Sequence, residues 1–150
     1  MHLLCRSISA YSGPSLLLGV FRTKDLAEAA RREYLTTVMH GGADPWGDQD
    51  NPRSSDRDLI IRSDLDLIDC TEASAESRDH VLVVSSYSYG FGQLLRGFEA
   101  IAGSKSAAEA RAAQIAAENA NDGFFSGTAI NSIPLDRLAS GPNGYESDEA

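Results

Sequence analysis

The segment His80–Leu138 constrains the fold most, because it reads as a complete unit and the first part of the chain carries a diverged version of it. His80-Val-Leu-Val-Val-Ser-Ser-Tyr-Ser-Tyr89 is rich in β-branched and aliphatic residues and predicts a strand. Gly90-Phe-Gly92 supplies residues that tolerate positive φ, and Leu94–Ile101 predicts the returning strand of a hairpin. Ser106 with Glu109 three residues on makes a capping box for an Ala-rich helix to Ala120, which Asn121-Asp-Gly123 closes. Thr128–Ile133 predicts a third strand, which Pro134 ends or places at a sheet edge.

Laid without a gap at a spacing of 78, residues 2–21 match residues 80–99 at seven of twenty positions, among them His2 on His80, Tyr11 on Tyr89 and Gly19 on Gly97. Beyond a three-residue insertion, Asp25-x-x-Glu28 falls on Ser106-x-x-Glu109 and Ala27-Glu-Ala29 on Ala108-Glu-Ala110. Repetition of this kind decides the architecture before any single element does. The expectation is an α+β protein whose residues 1–138 form one domain of two ββαβ repeats, 2–69 and 80–138. The repeats would share one mainly antiparallel sheet, with both helices on one face and a pseudo-twofold axis between the halves. The tail 139–150, polar and acidic, reads as disordered.

In the first repeat, residues 2–10 predict a strand, Gly13-Pro14 a turn and Leu16–Phe21 the returning strand. A helix then runs from a cap at Asp25 to about Met39, with Leu26, Ala30, Tyr34 and Val38 as its apolar stripe. Leu59–Ile68 predicts one strand in which Leu65 and Leu67 share a face. In the second helix Ala108, Ala112 and Ala116 allow close approach to the sheet, anchored by Ile115.

The net charge of −9 and pI near 4.7 argue against binding to nucleic-acid backbones, which needs clustered Lys and Arg, and against docking on anionic membranes. They are compatible with a partner that presents a basic protein surface. No run of eighteen apolar residues is present, so no membrane span is expected, and the opening Met1-His-Leu-Leu-Cys-Arg6 lacks the pattern of a secretory signal. Cys5 and Cys70 have no metal-like spacing and read as free thiols of a cytoplasmic protein.

The residue patterns that usually carry chemistry are incomplete. His2 and His80 stand at matching places, but no third metal ligand follows at a suitable spacing, so no metal and no cofactor are expected. There is no Gly-x-Ser-x-Gly elbow, and the glycine turns are neither a Walker loop nor a dinucleotide fingerprint. The long stretch 40–58 is the part least explained by folding. It holds the single Trp, Trp46, among Asp44, Asp48, Asp50 and Asp56, whose spacing lacks the order of a helix-loop-helix calcium site. These five residues, with Tyr87 and Tyr89 of the second hairpin, are the candidate partner-binding set, since Trp and Tyr anchor interfaces.

Gly19-Val-Phe21 followed by Ala27-Glu-Ala-Ala30 resembles a family of short bacterial and phage proteins with one ββαβ unit. The likeness covers about half of the chain, here in tandem, and implies a fold and no mechanism. The expected function is a non-catalytic acidic binding protein that blocks or neutralises a protein partner, in the manner of an immunity protein or a phage counter-defence inhibitor, with a homodimer as a possible form. The alternatives are a protein that sequesters a nucleotide-like small molecule between the units and, third, an enzyme with an unrecognised site.

Overall fold

The protein is described here by a computed structural model at residues 1–7, 15–39, 59–69, 78–90, 92–140 and 144–145. Strand β1 (His2–Ser7) pairs antiparallel with β2 (Ser15–Phe21) on one side and with β3 (Leu59–Arg62) on the other, giving a sheet of order β2-β1-β3. Strand β5 (His80–Gly90) likewise lies between β6 (Gln93–Ala102) and β7 (Phe125–Pro134), both antiparallel to it. A short strand β4 (Asp66–Ile68) adds to β6 in parallel, so the second sheet runs β4-β6-β5-β7. Two sheets, each with its own helix, therefore replace the single expected sheet. Among the described residues no helix is long and apolar enough to cross a membrane.

Each hairpin contains one slip in register. In the first it falls at Leu4/Cys5, where Leu4 pairs with Gly19 and Cys5 with Leu17; in the second it falls at Val84/Ser85, where Val84 pairs with Ala100 and Ser85 with Phe98. One extra residue, Leu18 or Glu99, is inserted on the returning strand as a β-bulge. Because side chains alternate with period two, the bulge exchanges the faces of everything beyond it. The bulges do not stand at the gapless spacing of 78. They lie 80 apart on the first strands (Cys5 and Ser85) and 81 apart on the second (Leu17 and Phe98).

The helices begin two residues earlier than the capping boxes suggested. Helix α1 (Lys24–Tyr34) is capped by Thr23 and α2 (Lys105–Glu118) by Ser104; each cap is extended, and each hydroxyl accepts from a backbone N–H three residues on, of Leu26 and Ala107, at 3.2 Å. Asp25 and Ser106 are already helical, because a hydroxyl directly after the strand satisfies the orphan N–H groups first. The buried face of α1 is Ala27, Ala30 and Tyr34; Ala30 and Tyr34 are as expected, while Ala27 takes the place of Leu26, which is 43% exposed, and the Val38 side chain lies outside the described residues. The chain then leaves α-helical geometry in a π-helical turn over Leu35–Met39. The face of α2 is Ala108, Ala112 and Ile115, as expected but for Ala116, which is exposed.

The layers follow from the alternation. Leu4, Leu18, Phe21 and Leu59 face α1, while Leu3, Cys5, Leu17 and Val20 face the second sheet. Opposite them stand Val81, Val83, Phe98, Ile101 and Ile133, and the other face of that sheet, with Val84, Ala100 and Ala102, receives α2. The order is helix, sheet, sheet, helix, with the helices on outer faces rather than together on one. The stretch 59–68 breaks at Arg62, which forks Asp64 at 3.1 and 3.0 Å and donates to the Phe98 carbonyl at 3.3 Å; β3 and β4 thus belong to different sheets. Leu65 packs beside the central core, and Leu67 is 46% exposed instead of sharing its face.

The expected disordered tail is held to β2 where it is described. Ala139 is buried and donates to Leu18, Tyr145 donates from its backbone to Leu17, and the Tyr145 hydroxyl donates to the Arg137 carbonyl at 2.9 Å. Gly144, at φ 69°, passes so near Leu17 that a Cβ there would stand 2.3 Å from its carbonyl oxygen. The cap assignment is open to test by urea denaturation. Thr23→Ala and Ser104→Ala should each cost about 1 kcal/mol, and Ser106→Ala should stay within about 0.5 kcal/mol of the parent; equal losses at Ser104 and Ser106 would contradict the assignment.

Candidate functional site

The two strands of the second hairpin run eleven and ten residues, and their last pair is Gly90 with Gln93. At that end Tyr89 donates its backbone N–H to the Phe124 carbonyl at 2.7 Å. Gly90 lacks a Cβ, and the Phe124 ring occupies the space: a Cβ there would lie 2.8 Å from it. Asp122 in turn accepts from the Phe124 backbone at 2.9 Å and orders the loop after α2. Two aromatic side chains are thus exposed at this end, Tyr89 by 58% and Phe124 by 55%, on opposite faces of β5, because the Phe124 ring lies on the Cβ side of Gly90 and consecutive strand residues point to opposite faces.

Below this end the hairpin carries a polar cluster. The Arg96 guanidinium lies 4.8 Å from the Phe98 ring centroid and 5.9 Å from that of Tyr87, in cation–π contact with the former above all. It donates to Ser85 Oγ and to Asn131 Oδ1, each at 3.3 Å. Ser85 and Asn131 are buried, so the cluster fixes how β5, β6 and β7 meet. Tyr87 is 5% exposed, and its hydroxyl has no hydrogen-bond partner among the described residues. The pair Tyr87 and Tyr89 is therefore split: Tyr87 packs inside, and only Tyr89 remains open to a partner.

A crevice of about 350 Å³ opens at the other end, lined by Arg22, Asp79, His80, Pro134, Leu135 and Arg137. Arg22 is held there by the Asp136 carboxylate and the Arg78 carbonyl, and its own backbone N–H donates to Asp136 at 2.9 Å. Asp136 has φ 60°, a left-handed conformation that is uncommon outside glycine but that Asp and Asn adopt more readily than other residues. Here Asp136 donates to the Val20 carbonyl and Leu135 to that of Asp79, tying both sheets at one turn.

The two matching histidines serve unlike surroundings. His2 lies 2.6 Å from the Ser63 hydroxyl, and burial first, then the charges of the N-terminus and Lys24, hold its pKa below the ordinary value; His80 lines the crevice. Among the described residues no group of three or more His, Cys, Asp or Glu could hold a metal. Cys5 is buried, and desolvation pushes its thiol up to about 12, which makes it unreactive. Asp44, Trp46, Asp48, Asp50 and Asp56 lie outside the described residues. Phe124, Arg96 and Arg22 escaped the sequence reading. The one available signal was Arg96, a lone cation inside the apolar run Leu94–Phe98.

No family model, curated protein or solved structure matches this chain. The tyrosines buried among the described residues, Tyr34 and Tyr87, give a test of the packing. Tyr34 bonds Arg6 at 3.3 Å through its hydroxyl, so Tyr34→Phe should lower stability by about 1–2 kcal/mol. Tyr87→Phe removes an unsatisfied buried hydroxyl and should leave stability unchanged or raised by about 1 kcal/mol in urea titrations; a clear loss would mean that the hydroxyl has a partner.

Proposed function

We propose that the protein is a non-catalytic binding protein that blocks or neutralises a protein partner presenting a basic surface, as immunity proteins and phage counter-defence inhibitors do. The observation that carries this reading is the exposure of Tyr89 and Phe124 at the tip of the second hairpin, in a chain of net charge −9. Aromatic anchors supply interface energy, and an acidic surround speeds encounter with a basic partner. The acidic stretch 40–58, with Trp46, belongs to the same proposal. The resemblance to short bacterial and phage proteins supports a cytoplasmic setting in such a host.

We also infer that the chain is a tandem duplication with a pseudo-twofold relation between its halves. Three landmarks support it: β1 and β5 occupy the same central place, the bulges stand 80 and 81 apart, and the caps Thr23 and Ser104 stand 81 apart. On that spacing Leu3 falls on Val83, Leu17 on Phe98, Val20 on Ile101 and Ala27 on Ala108, all buried. A crystal structure in which these pairs fail to superimpose would refute the duplication.

A second reading is favoured by the crevice, which brings residues of both halves around a space of small-molecule size. A nucleotide-like ligand would use Arg137 for its anionic group. Thermal shift with a metabolite panel separates the readings. A ligand that raises the Tm of the wild type and not of Arg137→Gln supports sequestration. For the first reading, affinity capture from a bacterial host should retain a basic protein. Tyr89→Ala with Phe124→Ala should weaken that capture by about tenfold or more with an unchanged Tm, and rising salt should weaken it further. Retention indifferent to both would defeat the proposal.

A further inference from the structure

Among the described residues, strand β7 has the longest edge without a pairing strand. Its inner side pairs with β5 over nearly its full ten residues, and among the described residues no strand pairs with its outer side. The other edges are handled differently: β6, which β4 pairs only at Ala100–Ala102, carries the charged Arg96 and Glu99 on the rest and receives Arg62 at the Phe98 carbonyl. Strand β2 is covered by bridges from Leu135 and Tyr145, β3 has four residues ending in Arg62, and β4 has three beginning in Asp66. An open strand edge is a template for another chain, and soluble proteins ordinarily guard it with charge, proline or a bulge.

The guards on β7 stand only at its ends. The pairing with β5 slips near Gly127, and Pro134, which has no N–H to donate, closes the other end. Between them Thr128-Ala-Ile-Asn-Ser-Ile133 contains no charged residue, in a chain with 22 acidic and 13 basic side chains. That neutrality points to the occupant. Two copies that each carry −9 repel wherever their acidic surfaces face, and least where neither brings a charge. A single strand pairing antiparallel with itself is also the self-complementary contact that a twofold dimer requires.

We propose that this protein forms a twofold dimer through the outer edge of β7. The strand pairs with its counterpart over about residues 128–133, with the axis at Ile130 or Asn131. Only these even registers keep like faces together, because paired antiparallel residues share a face. The two four-stranded sheets become one of eight, and both α2 helices lie on the same face of it. The backbone groups of β7 that water satisfies in a single copy are then satisfied by the second.

Sedimentation equilibrium with hydrogen exchange tests this. The wild type should sediment at twice the 16.0 kDa chain mass, with amides in 128–133 gaining protection as concentration rises. Ser132 is exposed, so charge placed there should leave the fold intact. Ser132→Lys and Ser132→Glu should both weaken self-association about tenfold or more, with the Tm of the dilute single chain unchanged, since on either register residue 132 stands opposite an uncharged side chain of the other strand, Ile130 or Thr128, and a charge of either sign would be desolvated there without a partner. The paired signs matter: association improved by Lys and weakened by Glu alone would indicate general charge repulsion and overturn the strand pairing. A wild type that stays at one chain mass at millimolar concentration, or a dimer whose 128–133 amides gain no protection, overturns it as well.

Discussion

The contact between the two sheets is the interaction on which the rest of this structure rests. Leu3, Leu17 and Val20 of the first sheet meet Val83, Phe98, Ile101 and Ile133 of the second, all nearly or wholly removed from water. Neither sheet would be a stable object alone, because three or four short strands with one helix leave one apolar face in water. Burying these faces against one another supplies that missing cover. Each side chain of this kind contributes about 1.5–3 kcal/mol by leaving water. The helices then need only seal the outer faces.

Polar groups at the margins set how the sheets are aligned. Arg62 belongs to the first sheet yet bonds a carbonyl of the second, and Arg22 and Asp136 join β2 to the segment after β7. Arg96 does similar work within the longer hairpin, where stacking on Phe98 and bonds to Ser85 and Asn131 stiffen the strands beneath the exposed Tyr89 and Phe124. A rigid base lowers the entropic cost of presenting aromatic groups to a partner. The candidate surface and the core are thus continuous through one cationic side chain.

Strands and helices were legible because their signals are local. The run from His80 to Tyr89, the Ala-rich segment to Glu118 and the strand before Pro134 all form where composition placed them. Two local readings missed by small steps for identifiable reasons. Hydroxyls at Thr23 and Ser104 took the caps ahead of Asp25 and Ser106, and in the first turn of α1 Ala27 rather than Leu26 joins Ala30 and Tyr34 on the buried face. Of the candidate surface, Tyr89 was legible as an aromatic near a turn, but its distinction from Tyr87 was not. Both lie on one strand two residues apart, and only the loop before β7 and the rings around Arg96 decide which is covered.

What the sequence determined by itself was an acidic α+β chain with two hairpin-helix-strand segments, since periodicity, caps and glycine turns act over a few residues. Tertiary structure alone decided that these segments form two sheets face to face, that Leu59–Ile68 divides between them, and that helices lie outside. Those outcomes depend on two single-residue bulges and on Arg62. A bulge exchanges the two faces of a strand without altering its composition, and so leaves no mark that a one-dimensional pattern can register.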